Sequence, residues 1–193
     1  TAGLQITSGA ENVLIGRNAG RNGNVADNTY IGFEAGQGVS GSTNAGNNVG
    51  VGHSALKGVT TGGSNVAVGS LAGDALTTGA DNVAIGYTAL STANTASSNT
   101  AIGVSAMQSI QADQAVSSCV AIGRLALTGG SSTTTGIHGT VAIGYQALTS
   151  LTSGTNDAFG YQALKNTTTG SQNTAIGRGV MAALTTGSRN VGI

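Results

Sequence analysis

The chain has 193 residues and no formal net charge, with seven basic residues scattered among seven acidic ones, which predicts no nucleic-acid partner. Glycine supplies 33 residues, proline none and aromatic residues only 3%, yet Val and Ile recur at fixed intervals, so the composition favours a regular architecture over disorder. No apolar stretch approaches the roughly 20 residues of a membrane span, which predicts no membrane insertion.

A repeat of about 17 residues begins near the N-terminus and continues to the last residue. Its core reads Asn-Val-Ala-Ile-Gly, and copies start at Asn12, Asn28, Asn48, Asn65, Asn82, Asn99, Cys119, Thr140, Asn156, Asn173 and Asn190. Successive starts lie 16, 20, 17, 17, 17, 20, 21, 16, 17 and 17 residues apart. This length is too short for a strand plus a helix, and a glycine in every copy opposes a helix by about 1 kcal/mol. We therefore predict one all-β domain over residues 1–193, a parallel β-solenoid (β-roll) of about 10–11 coils, each with two short strands and two turns.

The alternation along the Val-Ala-Ile strand predicts which side chains face the interior, if Asn is taken as position 1. Positions 2 and 4 are β-branched, as in Val83 and Ile85, and are predicted to point inward. Leu and Met at position 9, as in Leu90, and the apolar residue at position 12 are predicted to meet them from an opposite layer. Position 3, as in Ala84, is then outward, and its small size favours lateral packing of identical chains. Position 8, nearly always Ala, indicates either the same contact or a thin core.

Two positions of the repeat are predicted to have structural roles. The position-1 asparagines should stack about 4.8 Å apart and hydrogen-bond along the axis, although a row of ligand-binding amides is the alternative. Their ladder comprises Asn12, Asn28, Asn48, Asn65, Asn82, Asn99, Asn156, Asn173 and Asn190. Glycine at position 5 should form a corner where positive φ or close backbone approach excludes a Cβ. These corner glycines are Gly16, Gly32, Gly52, Gly69, Gly86, Gly103, Gly123, Gly144, Gly160 and Gly177. Cys119, the only cysteine, replaces one rung and is predicted to be a small buried side chain.

Extra residues interrupt the repeat at 37–47, 108–118 and 128–139. In solenoids, insertions form surface loops that often lie on the binding face, but each could equally be a tolerated loop. Position 6 varies and carries Tyr and Arg, which can stack on sugars, anchor a partner or contact another protomer. The candidate receptor-binding residues are therefore Tyr87, Arg124, Ser132, Thr134, His138, Tyr145 and Tyr161.

Catalytic chemistry has little support in the sequence. The two histidines, His53 and His138, have no Cys, Asp or Glu at metal-ligand spacing. The acidic residues are scattered singly, which disfavours the carboxylate pair that a β-helical depolymerase tailspike would need. We therefore expect no enzymatic activity, no catalytic residue, no metal and no cofactor.

Some repeats resemble those of known fibrous proteins. The segments Asn82-Val-Ala-Ile-Gly86 and Asn173-Thr-Ala-Ile-Gly177 resemble the Asn-Ser-Val-Ala-Ile-Gly motif of YadA-like trimeric autotransporter adhesin heads. The longer form Ala142-Ile-Gly-Tyr-Gln-Ala-Leu148 is similar to repeats in fibre proteins of phages and large algal viruses. The resemblance implies a left-handed β-roll, three chains side by side, and an adhesive role on a virion surface or an extracellular bacterial surface. The 17-residue length and the position-6 tyrosines favour the viral fibre.

These observations predict a structural and receptor-binding segment of a viral or phage fibre or of a bacterial surface adhesin. The expected partners are two further copies of the chain, in a homotrimer, and a cell-surface receptor or glycan. Both termini fall inside the repeat pattern, so a longer fibrous parent protein is expected. A non-adhesive fibre shaft is one alternative, and an ice-binding solenoid using the threonines at positions 13 and 14, such as Thr60 and Thr61, is another.

Overall fold

Eleven short parallel strands form a single sheet in which strand order follows sequence order. A computed structural model describes residues 11–22, 27–39, 46–110, 116–130 and 136–193. The strands are β1 Val13–Ile15, β2 Thr29–Ile31, β3 Val49–Val51, β4 Val66–Val68, β5 Val83–Ile85, β6 Thr100–Ile102, β7 Val120–Ile122, β8 Val141–Ile143, β9 Asn156–Phe159, β10 Asn173–Ile176 and β11 Val191–Gly192. The predicted all-β parallel solenoid is confirmed. Within the described residues, no helix is long and apolar enough to cross a membrane.

The strand register follows the spacing of the Asn-Val-Ala-Ile-Gly motif. Val66 pairs with Val83, 17 residues away, and five of the ten neighbouring strand pairs have this offset. The long intervals keep this alignment, since Val120 pairs with Thr100 on one side and with Val141 on the other. The sheet therefore stays continuous across the long intervals.

The two sides of each strand are the reverse of the sequence prediction. Position 3 points into the coil, where Ala67, Ala101 and Ala142 are fully buried. Positions 2 and 4 point outward, and Ile15 remains 57% exposed. The predicted inward direction of the β-branched residues is therefore wrong. The physical reason is the narrowness of the interior, in which the turn layer lies directly against the strands and leaves room for little more than a methyl group.

The layer opposite the sheet consists of turns, so the prediction of a second strand in each coil is wrong for the described residues. Positions 5, 7 and 9 have positive φ, as in Gly86 (131°), Thr88 (52°) and Leu90 (52°). Because the chain changes direction at these positive-φ residues, the adjacent Ala89 and Leu90 are both buried. In a strand, two adjacent side chains would point to opposite sides. The backbone remains paired between coils, because Leu90 N donates to Ala106 O at 2.9 Å. Positions 9 and 12 supply the core, as predicted.

One coil accommodates a large residue at position 3. Tyr30 is only 2% exposed, whereas most other coils have Ala there. Space for its ring comes from glycine at two neighbouring sites, because a Cβ on Gly36 would overlap the ring and a Cβ on Gly50 would lie 2.9 Å from Cδ1. Coil 1 repeats this exchange with Leu14 and Gly20, where an added Cβ would lie 2.7 Å from a leucine Cδ2. A large side chain at position 3 is thus matched by glycine at position 9.

Candidate functional site

The position-1 asparagines form a hydrogen-bonded column through the protein. Asn82 shows the full pattern: its Nδ2 donates to Asn65 Oδ1 at 2.9 Å and to Ala96 O at 2.7 Å, and its Oδ1 accepts from Asn99 N at 3.1 Å. Side-chain or backbone contacts of this kind join Asn12, Asn28, Asn48, Asn65, Asn82 and Asn99, and then Asn156, Asn173 and Asn190. The interior rungs are buried, so their amides are directed to neighbouring coils rather than to a ligand surface.

Cys119 and Thr140 replace asparagine at two successive rungs. Asn99 Oδ1 still accepts the Cys119 N–H at 3.0 Å, and Thr140 Oγ1 accepts the Asn156 N–H at 3.4 Å. Cys119 is fully buried, and this burial raises the pKa of its thiol to about 11. The thiol is therefore protonated at neutral pH and is a poor nucleophile.

The position-5 glycines lie where successive coils touch backbone to backbone. Their φ values run from 124° to 140°. A Cβ added to Gly86 would lie 2.6 Å from Gly103 O, and equivalent contacts recur at the other interior corners. Both predicted reasons for glycine therefore apply to the same residues: the positive φ disfavours a side chain, and the next coil leaves no room for a Cβ.

Position 6 forms an exposed column beside the sheet, with two aromatic stacks capped by arginine. In the C-terminal half, the Tyr145 and Tyr161 rings stack at 5.2 Å. Arg124 lies over the outer face of Tyr145 at 5.7 Å, and Arg178 lies over the outer face of Tyr161 at 5.1 Å. We call these four residues the Arg-Tyr stack.

A smaller stack occupies the same column near the N-terminus. Phe33 and His53 stack at 5.3 Å, and Arg17 lies 5.7 Å from the Phe33 centroid. The acidic Glu34 is the next residue along the chain and pairs with Lys57 at 2.8 Å. This pairing holds the pKa of Glu34 below its usual range, so a carboxylate accompanies the N-terminal stack.

The remaining candidate residues are not gathered into one site. Tyr87 is 54% exposed and, within the described residues, stacks on no other ring. The exposed His138 joins two insertions, because its Nδ1 lies 3.0 Å from Ser117 Oγ. Ser132 and Thr134 lie outside the described residues. The described part of the chain contains no group of three His, Cys, Asp or Glu residues able to hold a metal.

An exposed apolar strip is the feature that the sequence interpretation missed. It consists of positions 2 and 4 on every strand, and we call it the V-x-I face. Its members are Val13, Ile15, Thr29, Ile31, Val49, Val51, Val66, Val68, Val83, Ile85, Thr100, Ile102, Val120, Ile122, Val141, Ile143, Asp157, Phe159, Thr174, Ile176, Val191 and Ile193. None of them is buried, and Asp157 is the one ionisable residue among them. The alanine or glycine at position 3 in nine of the eleven coils was the available signal, because a column of small residues fits a narrow interior.

The threonines at positions 13 and 14 divide into two functions. At position 13 the hydroxyl is used within the solenoid, since Thr60 Oγ1 donates to Thr77 O at 3.0 Å and Thr77 Oγ1 donates to Asn94 O at 3.1 Å. At position 14 the side chains of Thr61 and Thr78 are exposed. Each of these two coils therefore presents a single fully exposed threonine, whereas Thr185 and Thr186 are both exposed.

Comparison with known proteins gives no assignment for this chain. The functional interpretation therefore depends on the V-x-I face, the position-6 column and the insertions. No protein-family model, curated protein or solved structure matches the sequence.

Proposed function

We propose that this chain is a self-associating structural and receptor-binding segment of a surface fibre, with three copies packed side by side. The observation that carries the proposal is the V-x-I face, a strip from β1 to β11 that is apolar at position 4 of every coil and at position 2 of all coils except those with Thr29, Thr100, Asp157 and Thr174. Parallel strands stack about 4.8 Å apart, so the strip is about 50 Å long. A contiguous apolar strip of a few hundred square ångströms is often a functional contact surface, which supports self-association.

The size of the strip is sufficient to matter energetically. Positions 2 and 4 are about 6.6 Å apart along a strand, so the strip covers about 330 Å² of each chain. At about 25 cal/mol per Å², its burial would contribute about 8 kcal/mol per chain. The entropic cost of association is of similar size, so contacts outside the strip must also belong to the interface. The number three follows from the resemblance to trimeric adhesins and viral fibres.

The position-6 column and the described residues of the insertions, such as His138, would provide the attachment function. Both lie outside the V-x-I face, and both differ in sequence from coil to coil. Three copies would present each surface three times, so weak individual sites would act together through multivalency. This arrangement fits a virion fibre or a bacterial surface adhesin, and a chain without such binding would be a fibre shaft.

The mass in solution tests the association directly. Light scattering of the native chain should give three protomers. Ile85→Asp places a charge on the V-x-I face and should reduce the mass, whereas Thr78→Asp adds the same charge at an exposed position elsewhere and should not. Circular dichroism would establish that both variants retain β structure. A monomeric native chain would contradict the proposal, and a thermal-hysteresis measurement would then test ice binding.

A further inference from the structure

We propose that the Arg-Tyr stack is a binding site for an acidic polysaccharide, held through carboxylate or sulfate groups aligned with the rod. This inference rests on the proposed receptor-binding function and assigns it a ligand class. The stack comprises Arg124, Tyr145, Tyr161 and Arg178 on four successive coils. Its two arginines are three coils apart, or about 14 Å, which requires an extended ligand with more than one acidic group.

The ring faces of the stack are already covered, so a sugar cannot stack on them. Tyr145 lies between Arg124 and Tyr161, and Tyr161 lies between Tyr145 and Arg178. A ligand can reach only the ring edges, the phenol hydroxyls and the guanidinium N–H groups. Ring edges carry the positive end of the aromatic quadrupole, and the other groups are hydrogen-bond donors. The accessible chemistry therefore favours an anion over a neutral sugar.

The donors of the stack remain available to such an anion. Arg124 Nη1 donates to Tyr145 Oη at 3.4 Å, so the phenol proton is free to point outward. Both arginines are exposed, and in the described part of the chain neither pairs with a carboxylate. A planar guanidinium is the side chain best suited to bidentate recognition of carboxylate or sulfate geometry.

The distribution of charge directs an anion to this half of the rod. Residues 114–193 contain four basic residues and one acidic residue, a net charge of +3. Residues 1–113 contain three basic and six acidic residues, a net charge of −3, and the N-terminal stack lies beside Glu34. A positive field of this kind raises the rate at which an anionic ligand arrives. Covered ring faces also disfavour single-stranded nucleic acid, whose bases bind by stacking on exposed aromatic rings.

Binding of defined polysaccharides to the native chain tests the proposal. Isothermal titration at low salt would use polygalacturonate as the carboxylate probe, heparin as the sulfate probe and dextran as the neutral probe. We expect binding to at least one acidic probe and none to dextran. The double variant Arg124→Gln/Arg178→Gln should bind at least 10-fold more weakly. The control double variant Arg17→Gln/Arg189→Gln removes the same charge and should change affinity less than 3-fold.

Several results would overturn the proposal. Equal losses in the two double variants would show that net charge alone is responsible. Duplex DNA binding as tight as the best polysaccharide would show a general response to polyanions. Absence of binding by a chain whose mass is three protomers would eliminate the polysaccharide site and leave the proposed association intact. A monomeric mass would instead contradict the association, whatever the titration shows.

Discussion

Gly86→Ala should destabilise the solenoid through two effects that can be separated: backbone strain and a clash of the added Cβ with the next coil. The residue has φ of 131°, a conformation that costs a non-glycine residue about 1–3 kcal/mol. The new Cβ would also lie 2.6 Å from Gly103 O, so the next coil would have to move by several tenths of an ångström. Overpacking of this kind costs about 1–3 kcal/mol. The expected loss in unfolding free energy is therefore about 2–6 kcal/mol.

Gly177→Ala provides a control that keeps the backbone effect and removes the clash. Its φ is 129°, almost the same as that of Gly86. In this 193-residue chain no position-5 glycine follows it, so its added Cβ would meet only the side chain of Val180, at 3.0 Å. The expected loss is about 1–3 kcal/mol, from backbone strain alone.

Denaturant unfolding of the two variants, followed by circular dichroism at one protomer concentration, measures the difference. Gly86→Ala should be less stable than Gly177→Ala by about 1–3 kcal/mol, and its Tm should be lower by about 2–4 °C per kcal/mol. Concentration must be fixed because association contributes to stability. Equal stabilities would refute the inference that coil-to-coil contact, rather than φ, enforces glycine at this corner.

Three further perturbations examine the interior by the same methods. Asn82→Ala leaves a buried N–H and a buried carbonyl of neighbouring coils unpaired and should cost about 2–6 kcal/mol, whereas Asn190→Ala, at a less buried rung, should cost less. Tyr30→Ala should cost about 3–5 kcal/mol and Gly36→Leu should also destabilise. The double variant recreates the pairing of Ala at position 3 with Leu at position 9 that other coils have. It should therefore be about 1–3 kcal/mol more stable than the sum of the two single losses predicts, and strictly additive losses would contradict the matching of side-chain sizes at these two positions. Because burial raises the pKa of Cys119 from 9.0 to about 11, the unfolded chain loses this proton first. Stability should therefore fall between pH 9 and 11, by about 3 kcal/mol. A native pH profile that Cys119→Ala leaves unchanged over this range would refute that assignment.

The repeat in the sequence contains enough information to place the strands and their register. Asn65 and Asn82 mark coils 17 residues apart, and Val66 pairs with Val83 accordingly. The position-5 glycines are equally informative, since their lack of a side chain reports a local backbone requirement that every coil shares. These features are local or strictly periodic, and pattern analysis is strongest for such features.

The sequence alone does not determine which side of a strand faces inward. Alternation separates Val83 and Ile85 from Ala84, but both sides are apolar, so hydropathy gives no decision. The volume of the interior decides which side of the strand faces inward. Leu90 lies in a turn with positive φ and fills the interior, so only alanine-sized space remains beneath the sheet. Positive φ at leucine is a tertiary outcome that residue preferences argue against. The second strand was predicted wrongly for the same reason.

The outward direction of Val and Ile, opposite to the sequence prediction, supports association for a different reason than the one the sequence suggested. If small residues faced outward, chains would pack closely but gain little apolar burial. Instead, alanine lines much of the interior and Val and Ile cover the outside, so much of the available hydrophobic stabilisation is left unused by the isolated chain. A monomer would hold its shape through a thin interior of leucine and alanine, the asparagine column and the backbone contacts between coils. Covering the V-x-I face with neighbouring copies would supply the missing burial, so the stability of this chain should rise with protomer concentration.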